Sequence, residues 1–231
     1  MGQGSAAVAW LTGDFLGTGR TQIAQPWDNA MIPQLIRNRV YDTNPDINAD
    51  QAKSWTVERA ALPPGAQGFA VSGDRSNPVY FVFTDTALFI ERDGSWIQVL
   101  ADLTPSQTFG PVFANPYDAH VVYALSDQGV QVSTDAGSTF GPAARLNALL
   151  AGSSASQVNQ ISFNYDNPAA VAVCTDSGQL LFNAGGENWR DLTPLLPTPL
   201  VPIRSVAIDC EAIYMATFGR GLQRVVNYST S

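Results

Sequence analysis

Short apolar runs separated by turn residues dominate this chain, and long helical periodicity is rare. Four runs are rich in β-branched and aromatic residues: Val79–Phe83, Val121–Leu125, Ala170–Cys174 and Ala212–Ala216. Each is typical of a β-strand. Because the runs are almost continuously apolar rather than alternating, we predict that other sheets cover both faces of these strands. The best helical candidate is Arg145–Ala151, long enough for about two turns.

The four runs belong to a longer repeat. The stretch "VYFVFTDTALFI" is similar to "VYALSDQGVQVS", "VAVCTDSGQLLF" and "IYMATFGRGLQRV". The small residue that opens the third strand of each unit marks the register, and these residues are 42, 49 and 43 positions apart: Ala87, Gly129, Gly178 and Gly221. Such spacing is typical of β-propeller blades, which repeat at roughly 40–50 residues.

The predicted fold is therefore an all-β propeller of about five four-stranded blades. Six blades, or an incomplete ring, are the alternatives. We expect one domain over residues 1–231, with blades at 65–104, 105–155, 156–200 and 201–231 and a first blade plus an irregular connection in residues 1–64. A short helix is predicted near Ile32–Arg39 within that connection.

One turn between repeats carries a complete motif. Residues 133–140, "STDAGSTF", match the Asp-box S-x-D-x-G-x-T-[WF] of sialidase-like (BNR-repeat) propellers. We predict a structural turn in which Asp135 caps backbone N–H groups, Gly137 adopts a positive φ, and Phe140 packs between blades, with Ser133 opening the motif. The ending "ATFGRGLQRV" also resembles the last blade of these propellers. The resemblance implies a fold and leaves the function open.

The N-terminal stretch "WLTGDFLGTGRTQI" resembles an FG-GAP (integrin-α-like) repeat, whose loop binds calcium. Asp14 occupies the first ligand position, but Leu16 replaces an Asn or Asp. Thr18 and Gln22 replace the other carboxylates and offer only neutral oxygens. Since calcium favours six to eight oxygens with several carboxylates, we expect no calcium here and no cofactor; Asp14, Thr18 and Gln22 are the weak alternative site.

Composition excludes some partners. The net charge is −8 and there is one lysine, so binding of nucleic acid or an anionic membrane is not expected. No apolar run approaches the ~20 residues of a membrane span. The low-lysine composition suggests a secreted protein. Cys174 and Cys210 lie in apolar runs and are expected to be buried thiols, with a disulfide as the alternative.

No catalytic centre is evident in the sequence. The resemblance implies that sialidase activity would need an arginine triad for the substrate carboxylate, a Tyr/Glu nucleophile pair and an Asp that acts as the acid/base. None of these groups can be assigned to residues of this sequence. His120, the only histidine, is interpreted as a surface residue. The predicted ligand face holds the turns between the second and third strands, whose candidate ligand-binding residues are Asp85, Asp127, Asp176 and Arg220. The Thr-Asp or Ser-Asp pairs there also suggest turn capping.

The leading functional hypothesis is a non-enzymatic binding module that recognises a glycan, or a protein on a cell surface, in the manner of a lectin. A glycoside hydrolase with a carboxylate pair hidden in the sequence is the first alternative. A structural propeller within a larger secreted assembly is the second.

Overall fold

The structure is a computed structural model. It describes residues 62–72, 79–104, 110–151, 157–186 and 188–226 with their side chains, and the backbone of three earlier strands. The strands are β1 (Arg20–Ala24), β2 (Gln34–Asn38), β3 (Trp55–Arg59), β4 (Gly68–Ser72), β5 (Val79–Phe83), β6 (Ala87–Arg92), β7 (Ser95–Ala101), β8 (Val112–Ala114), β9 (Val122–Ser126), β10 (Gly129–Ser133), β11 (Gly141–Pro142), β12 (Val158–Phe163), β13 (Val171–Thr175), β14 (Leu180–Asn183), β15 (Trp189–Asp191), β16 (Ile203–Ile208), β17 (Ala212–Thr217) and β18 (Gly221–Val226). The helix α1 spans Ala144–Ala151, and a 3-10 turn spans Thr193–Leu195.

The strands form five antiparallel sheets that follow the chain order. Sheet I contains β1–β3, sheet II β4–β7, sheet III β8–β11, sheet IV β12–β15 and sheet V β16–β18. Every strand pairs with its neighbours in sequence, so each sheet is a simple meander. The first strands of successive sheets contact one another, from β1 to β4, β8, β12 and β16. The sheets therefore stack side by side around their first strands.

The hydrophobic core lies in layers between neighbouring sheets. On β13, Val171 and Val173 pack into the layer shared with sheet III, while Ala172 and Cys174 pack into the layer shared with sheet V. A third layer joins sheets II and III, and a fourth covers the other face of sheet II. All residues of β9 and β13 are buried, which confirms that these strands are covered on both faces. The prediction is wrong for β17, where Ala216 is exposed and Tyr214 half-buried on the face turned away from sheet IV.

This arrangement is a β-propeller, as predicted. A sheet of three or four strands cannot bury two apolar faces by itself, whereas radial stacking supplies each sheet with a neighbour. The helix predicted at Arg145–Ala151 is also present, as α1. A closed ring of five blades remains a prediction.

Polar side chains connect the first strands of sheets IV and V. The Asn159 side-chain amide donates to the Ile203 carbonyl at 2.8 Å, and the Gln160 side-chain oxygen accepts from the Val206 N–H at 2.8 Å. These bonds join β12 to β16 across the centre. Because both Asn159 and the Ile203 main chain are buried, losing one partner would leave the other unsatisfied.

Two sequence predictions about local structure are wrong. The helix near Ile32–Arg39 is instead strand β2, which pairs on one side with β1 and on the other with β3. Cys210 is exposed in the turn between β16 and β17, so only Cys174 is a buried thiol; both cysteines are free. Strand β2 forms because β1 and β3 pair with it, and a local pattern does not contain that information, whereas Cys210 lies in the tight turn that lets Ile208 pair with Ile213.

Candidate functional site

The two ends of the propeller differ in how their turns are built. The upper end is defined here by the turns that join the second and third strands of sheets II to V, at residues 84–86, 127–128, 176–179 and 218–220. The lower end holds the turns between the first and second strands and between the third and fourth. All four candidate ligand-binding residues lie at the upper end, and the Asp-box residues lie at the lower end.

A hydroxyl residue closes each upper turn. Thr84 Oγ1 accepts from the Ala87 N–H at 3.0 Å, and Thr175 Oγ1 accepts from the Gln179 N–H at 2.9 Å. In the other two turns the hydroxyl donates, from Ser126 to the Gly129 carbonyl at 3.0 Å and from Thr217 to the Gly221 carbonyl at 2.8 Å. The predicted capping thus belongs to the Thr or Ser, and these caps do not use the following Asp.

The four candidate residues divide into two kinds. Asp176 Oδ1 accepts from the Gln157 N–H at 2.9 Å, and the Arg220 guanidinium donates to the Pro197 carbonyl at 2.9 Å. These two side chains bind the segments that connect one sheet to the next. Asp85 and Asp127 are exposed at their turns, so their carboxylates face solvent.

The segment that follows β7 contacts both the turn of Asp85 and the turn of Asp127. The Leu103 N–H donates to the Thr86 carbonyl at 3.1 Å, and the Asp127 N–H donates to the Asp102 carbonyl at 3.0 Å. Asp102 is itself exposed and adopts a φ of +56°. We call the group formed by Asp85, Asp102 and Asp127 the acidic ridge. Main-chain bonds hold its three turns, so its carboxylates sit on a rigid support.

Sequence reasoning missed Asp102. It follows β7 directly and belongs to no repeated Thr-Asp or Ser-Asp pair. The only signal available was its type, since Asp and Asn adopt positive φ more readily than other non-glycine residues. Its place between the turns of Asp85 and Asp127 depends on how the connection between sheets II and III crosses the upper end.

The rest of the upper end combines a hydrogen-bonded helix contact with an exposed aromatic ring. Asn147 of α1 accepts from the Val130 N–H at 2.8 Å and donates to the Val130 carbonyl at 2.9 Å. Phe218 is 66% exposed, and the Arg204 guanidinium lies 5.7 Å from its ring centroid. The upper end therefore offers exposed carboxylates on sheets II and III and an exposed aromatic ring on sheet V.

At the lower end, the residues of the predicted Asp-box form a dense hydrogen-bonded turn. Asp135 Oδ1 accepts from the Thr139 N–H at 2.9 Å, and Oδ2 accepts from the Thr139 hydroxyl at 2.7 Å. Ser133 Oγ donates to Asp135 Oδ1 and accepts from the Gly137 N–H, each at 2.8 Å. Gly137 has a φ of +78°, and Phe140 packs in the layer between sheets II and III. These contacts hold the turn between β10 and β11, and the assignment of Ser133, Asp135, Gly137 and Phe140 to an Asp-box stays a prediction.

The hydrogen bonds in this turn favour ionised Asp135. The side-chain bond from Thr139, then the Thr139 backbone N–H and Ser133, lower the pKa of Asp135 from 3.8 to about 2. The carboxylate of Asp209 also has a lowered pKa, because it accepts from the backbone N–H groups of Ala212 and Glu211. Both groups stabilise turns, and neither is suited to act as a proton donor near neutral pH.

A pair of tyrosines also lies at the lower end and has no counterpart in the sequence predictions. The rings of Tyr117 and Tyr165 meet edge to face with centroids 5.4 Å apart. Their loops are joined because Asn115 donates to the Pro168 carbonyl at 2.9 Å. Burial, followed by the neighbouring Tyr165, raises the pKa of Tyr117. The repeated Asn at the start of each loop was the available signal, since Asn favours such turns.

The candidate metal-ligating residues and the histidine are dispersed in the described part of the chain. Its His, Cys, Asp and Glu residues include no group of three that could hold a metal ion. His120 is exposed at a turn, as expected for a surface histidine. Of the weak calcium alternative, Asp14 and Thr18 lie outside the described residues, and Gln22 lies in β1, where only the backbone is described. No helix in the described ranges is long and apolar enough to span a membrane.

Comparison with known proteins supports the fold. No family model matches the chain, and no curated protein is similar to it in sequence. The GH74 enzyme of Niastella koreensis superposes with a TM-score of 0.55 at 17% identity, over 93% of this chain and 29% of that chain. YCF48 from Cyanidioschyzon merolae superposes with a TM-score of 0.53 at 11% identity, over 90% of this chain and 64% of that chain. YCF48 bound to D1 peptide superposes with a TM-score of 0.52 at 12% identity, over 91% of this chain and 62% of that chain.

At these identities the likeness concerns the propeller fold alone. The chain spans about a third of the GH74 proteins, at 29% and 35% of their lengths, and less than two thirds of YCF48. The neighbours include an enzyme that acts on a polysaccharide, the GH74 xyloglucanase of Xanthomonas campestris, and a protein bound to a peptide. One architecture thus serves both kinds of ligand.

Proposed function

We propose that this chain is a non-enzymatic binding module that recognises a carbohydrate at its upper end. The acidic ridge is the observation that carries the proposal. Asp85, Asp102 and Asp127 are exposed, and main-chain bonds hold their turns next to one another. Ionised carboxylates accept hydrogen bonds at two oxygens each, which suits the many hydroxyl donors of a sugar.

The rigidity of the ridge supports a role in binding. A ligand that meets fixed groups loses less free energy to the ordering of side chains and loops. The separate Thr and Ser caps matter here, because the turns keep their shape without using the carboxylates of Asp85 and Asp127. The acidic side chains at these two positions are thus available to a ligand.

The same proposal assigns the repeats of this propeller to two kinds of known blade. The hydrogen bonds around Asp135 support the resemblance of sheets II to V to sialidase-like repeats, with the Asp-box as a structural turn. We assign the N-terminal segment to an FG-GAP-like first blade without calcium, on the ligand positions that Leu16, Thr18 and Gln22 have lost. The low lysine content supports placement outside the cell.

A glycan array tests this function. The wild type, screened with and without calcium, is expected to bind a defined set of glycans in a saturable way that resists a chelator. The D85N/D127N variant keeps the turn caps and removes two charges, and it is expected to lose at least tenfold in affinity. D93N is the matched control, because Asp93 is exposed at a lower turn of sheet II.

Three outcomes contradict the proposal. If no glycan on the array is bound, the chain is instead a scaffold that binds protein. If D85N/D127N binds glycans with the same affinity as the wild type, the acidic ridge is not the binding site. Turnover of a fluorogenic glycoside, abolished by one Asp change, favours the glycoside hydrolase, which the GH74 likeness makes the second candidate.

A further inference from the structure

Exposed large apolar side chains are concentrated near the end of the described chain. Of the seven in the described residues, five lie between positions 195 and 226, and three of these belong to sheet V or its turn. Phe218 is 66% exposed, Leu222 74% and Val226 47%. Contiguous exposed apolar surface marks interaction sites on soluble proteins, while isolated residues need no explanation.

Sheets I and V have fewer strands than the three sheets between them. Sheets II, III and IV each have four strands, and sheet V has three in the described chain, so no described strand pairs with the outer edge of β18. One face of sheet V packs on sheet IV through Ile213, Met215 and Val225. The edge of β18 therefore offers backbone N–H and C=O groups to an additional strand.

The opposite face of β18 has an alternating pattern. Leu222, Arg224 and Val226 are exposed at every second position, in the order apolar, basic, apolar. Their partners on β17 are Ala216, Tyr214 and Ala212. Side chains directly opposite each other on paired strands interact, so a strand added to β18 would place its own side chains against these three.

The charge of this region is opposite to that of the whole chain. From Ala212 to Val226 there are two arginines, Arg220 and Arg224, and no acidic residue, in a chain of net charge −8. Sheet V as a whole, from Ile203 to Val226, has three arginines and two acidic residues, and both acidic residues, Asp209 and Glu211, lie in the turn between β16 and β17. The local charge therefore favours an acidic partner and disfavours a second copy of this acidic chain.

We propose that sheet V accepts an extended segment of a partner protein as a fourth strand along β18, and that this segment alternates apolar, acidic and apolar residues. The main-chain bonds supply affinity and the alternating side chains supply specificity, as in other cases of strand addition. The apolar residues cover Leu222 and Val226, and the acidic residue pairs with Arg224. This surface is separate from the acidic ridge on sheets II and III.

A labelled nine-residue peptide tests the proposal by fluorescence anisotropy. In it valine, glutamate and valine alternate with threonine. The wild type is expected to bind this peptide saturably, and R224E is expected to weaken binding by about fivefold or more. A peptide with lysine in place of glutamate should show the reverse preference and bind R224E better than the wild type.

Three other variants test whether peptide binding is specific to the edge of β18. L222S is expected to weaken binding of both the glutamate peptide and the lysine peptide. I97S should change the binding of neither peptide, because Ile97 is an exposed apolar residue on the outer strand of sheet II. D85N/D127N should keep full peptide affinity, which separates this proposal from carbohydrate binding. Thermal unfolding of each variant verifies that it is folded.

Each remaining outcome overturns the proposal. Absence of saturable peptide binding, or binding that R224E and L222S leave unchanged, removes the strand-addition site. Binding that appears only after deletion of residues 1–19 assigns the edge to the chain's own N-terminal segment. A concentration-dependent dimer that R224E abolishes assigns it to a second copy.

Discussion

Two glycines in equivalent turns allow a direct measurement of how the sheets pack. Gly137 and Gly94 each lie in the turn between the third and fourth strands of their sheets, and both have a φ of +78°. A Cβ atom added at Gly137 would lie 2.4 Å from Cε1 and 3.0 Å from Cζ of Phe81. At Gly94 it would meet nothing within 4 Å. The two sites share the backbone strain and differ only in the space around them.

The space around each glycine determines how much stability an alanine should cost there. A residue with a Cβ in this left-handed region costs roughly 1–2 kcal/mol, so G94A should lose about that much stability. The Phe81 ring is 0% exposed and belongs to the layer between sheets II and III. Forcing an extra methyl against a packed core costs roughly a further 1–3 kcal/mol. We therefore expect G137A to lose about 2–5 kcal/mol.

Urea unfolding followed by tryptophan fluorescence measures both losses, with the slope of the transition compared among variants to verify that the same unfolding is observed. The F81L change, made alone and with G137A, completes a double-mutant cycle. Part of the G137A loss should be recovered in the double variant because the smaller side chain leaves room. Equal losses for G94A and G137A, or no coupling in the cycle, would refute the packing of this turn against sheet II.

Two other predictions concern ionisable groups. The folded-state pKa of Asp135, about 2, lies below its ordinary value of 3.8, so the folded protein binds this proton less tightly than the unfolded chain. The stability contributed by Asp135 is therefore fully present above pH 4 and lost as pH falls towards 2; D135N should show a smaller decrease in melting temperature between pH 4.5 and pH 2.5 than the wild type, and an equal decrease would contradict this. Cys210 is exposed, whereas Cys174 is 0% exposed and burial raises its pKa to about 12. Ellman's reagent should thus label one thiol in the native state and two in urea, and native C210S should not react; labelling of native C210S would show that the β13 core is open.

The proposed site shows where sequence reasoning succeeded and where it stopped. The repeat predicted which turns share one end of the propeller, because alternating strand directions place equivalent turns together. It did not distinguish Asp85 and Asp127 from Asp176, since all three follow a Thr or Ser. Asp176 binds the main chain of Gln157, nineteen residues earlier, and only the path of that connection decides its role.

By itself the sequence determined the second strands of sheets II to V, the repeat and the helix α1, and it indicated the turn around Asp135. These features depend on contacts within one repeat: apolar runs bounded by turn residues, and a carboxylate that caps N–H groups a few positions away. Local patterns are enough for them because the interacting residues are close in the chain.

The tertiary structure alone decided which residues meet across repeats. It paired β2 with β1 and β3 where a helix was expected, and it placed the segment of Asp102 against the turns of Asp85 and Asp127. It also left the edge of β18 without a partner among the described strands. Such outcomes depend on the stacking of whole sheets, in which residues far apart in sequence compete for the same neighbours, and no single stretch of sequence records the result.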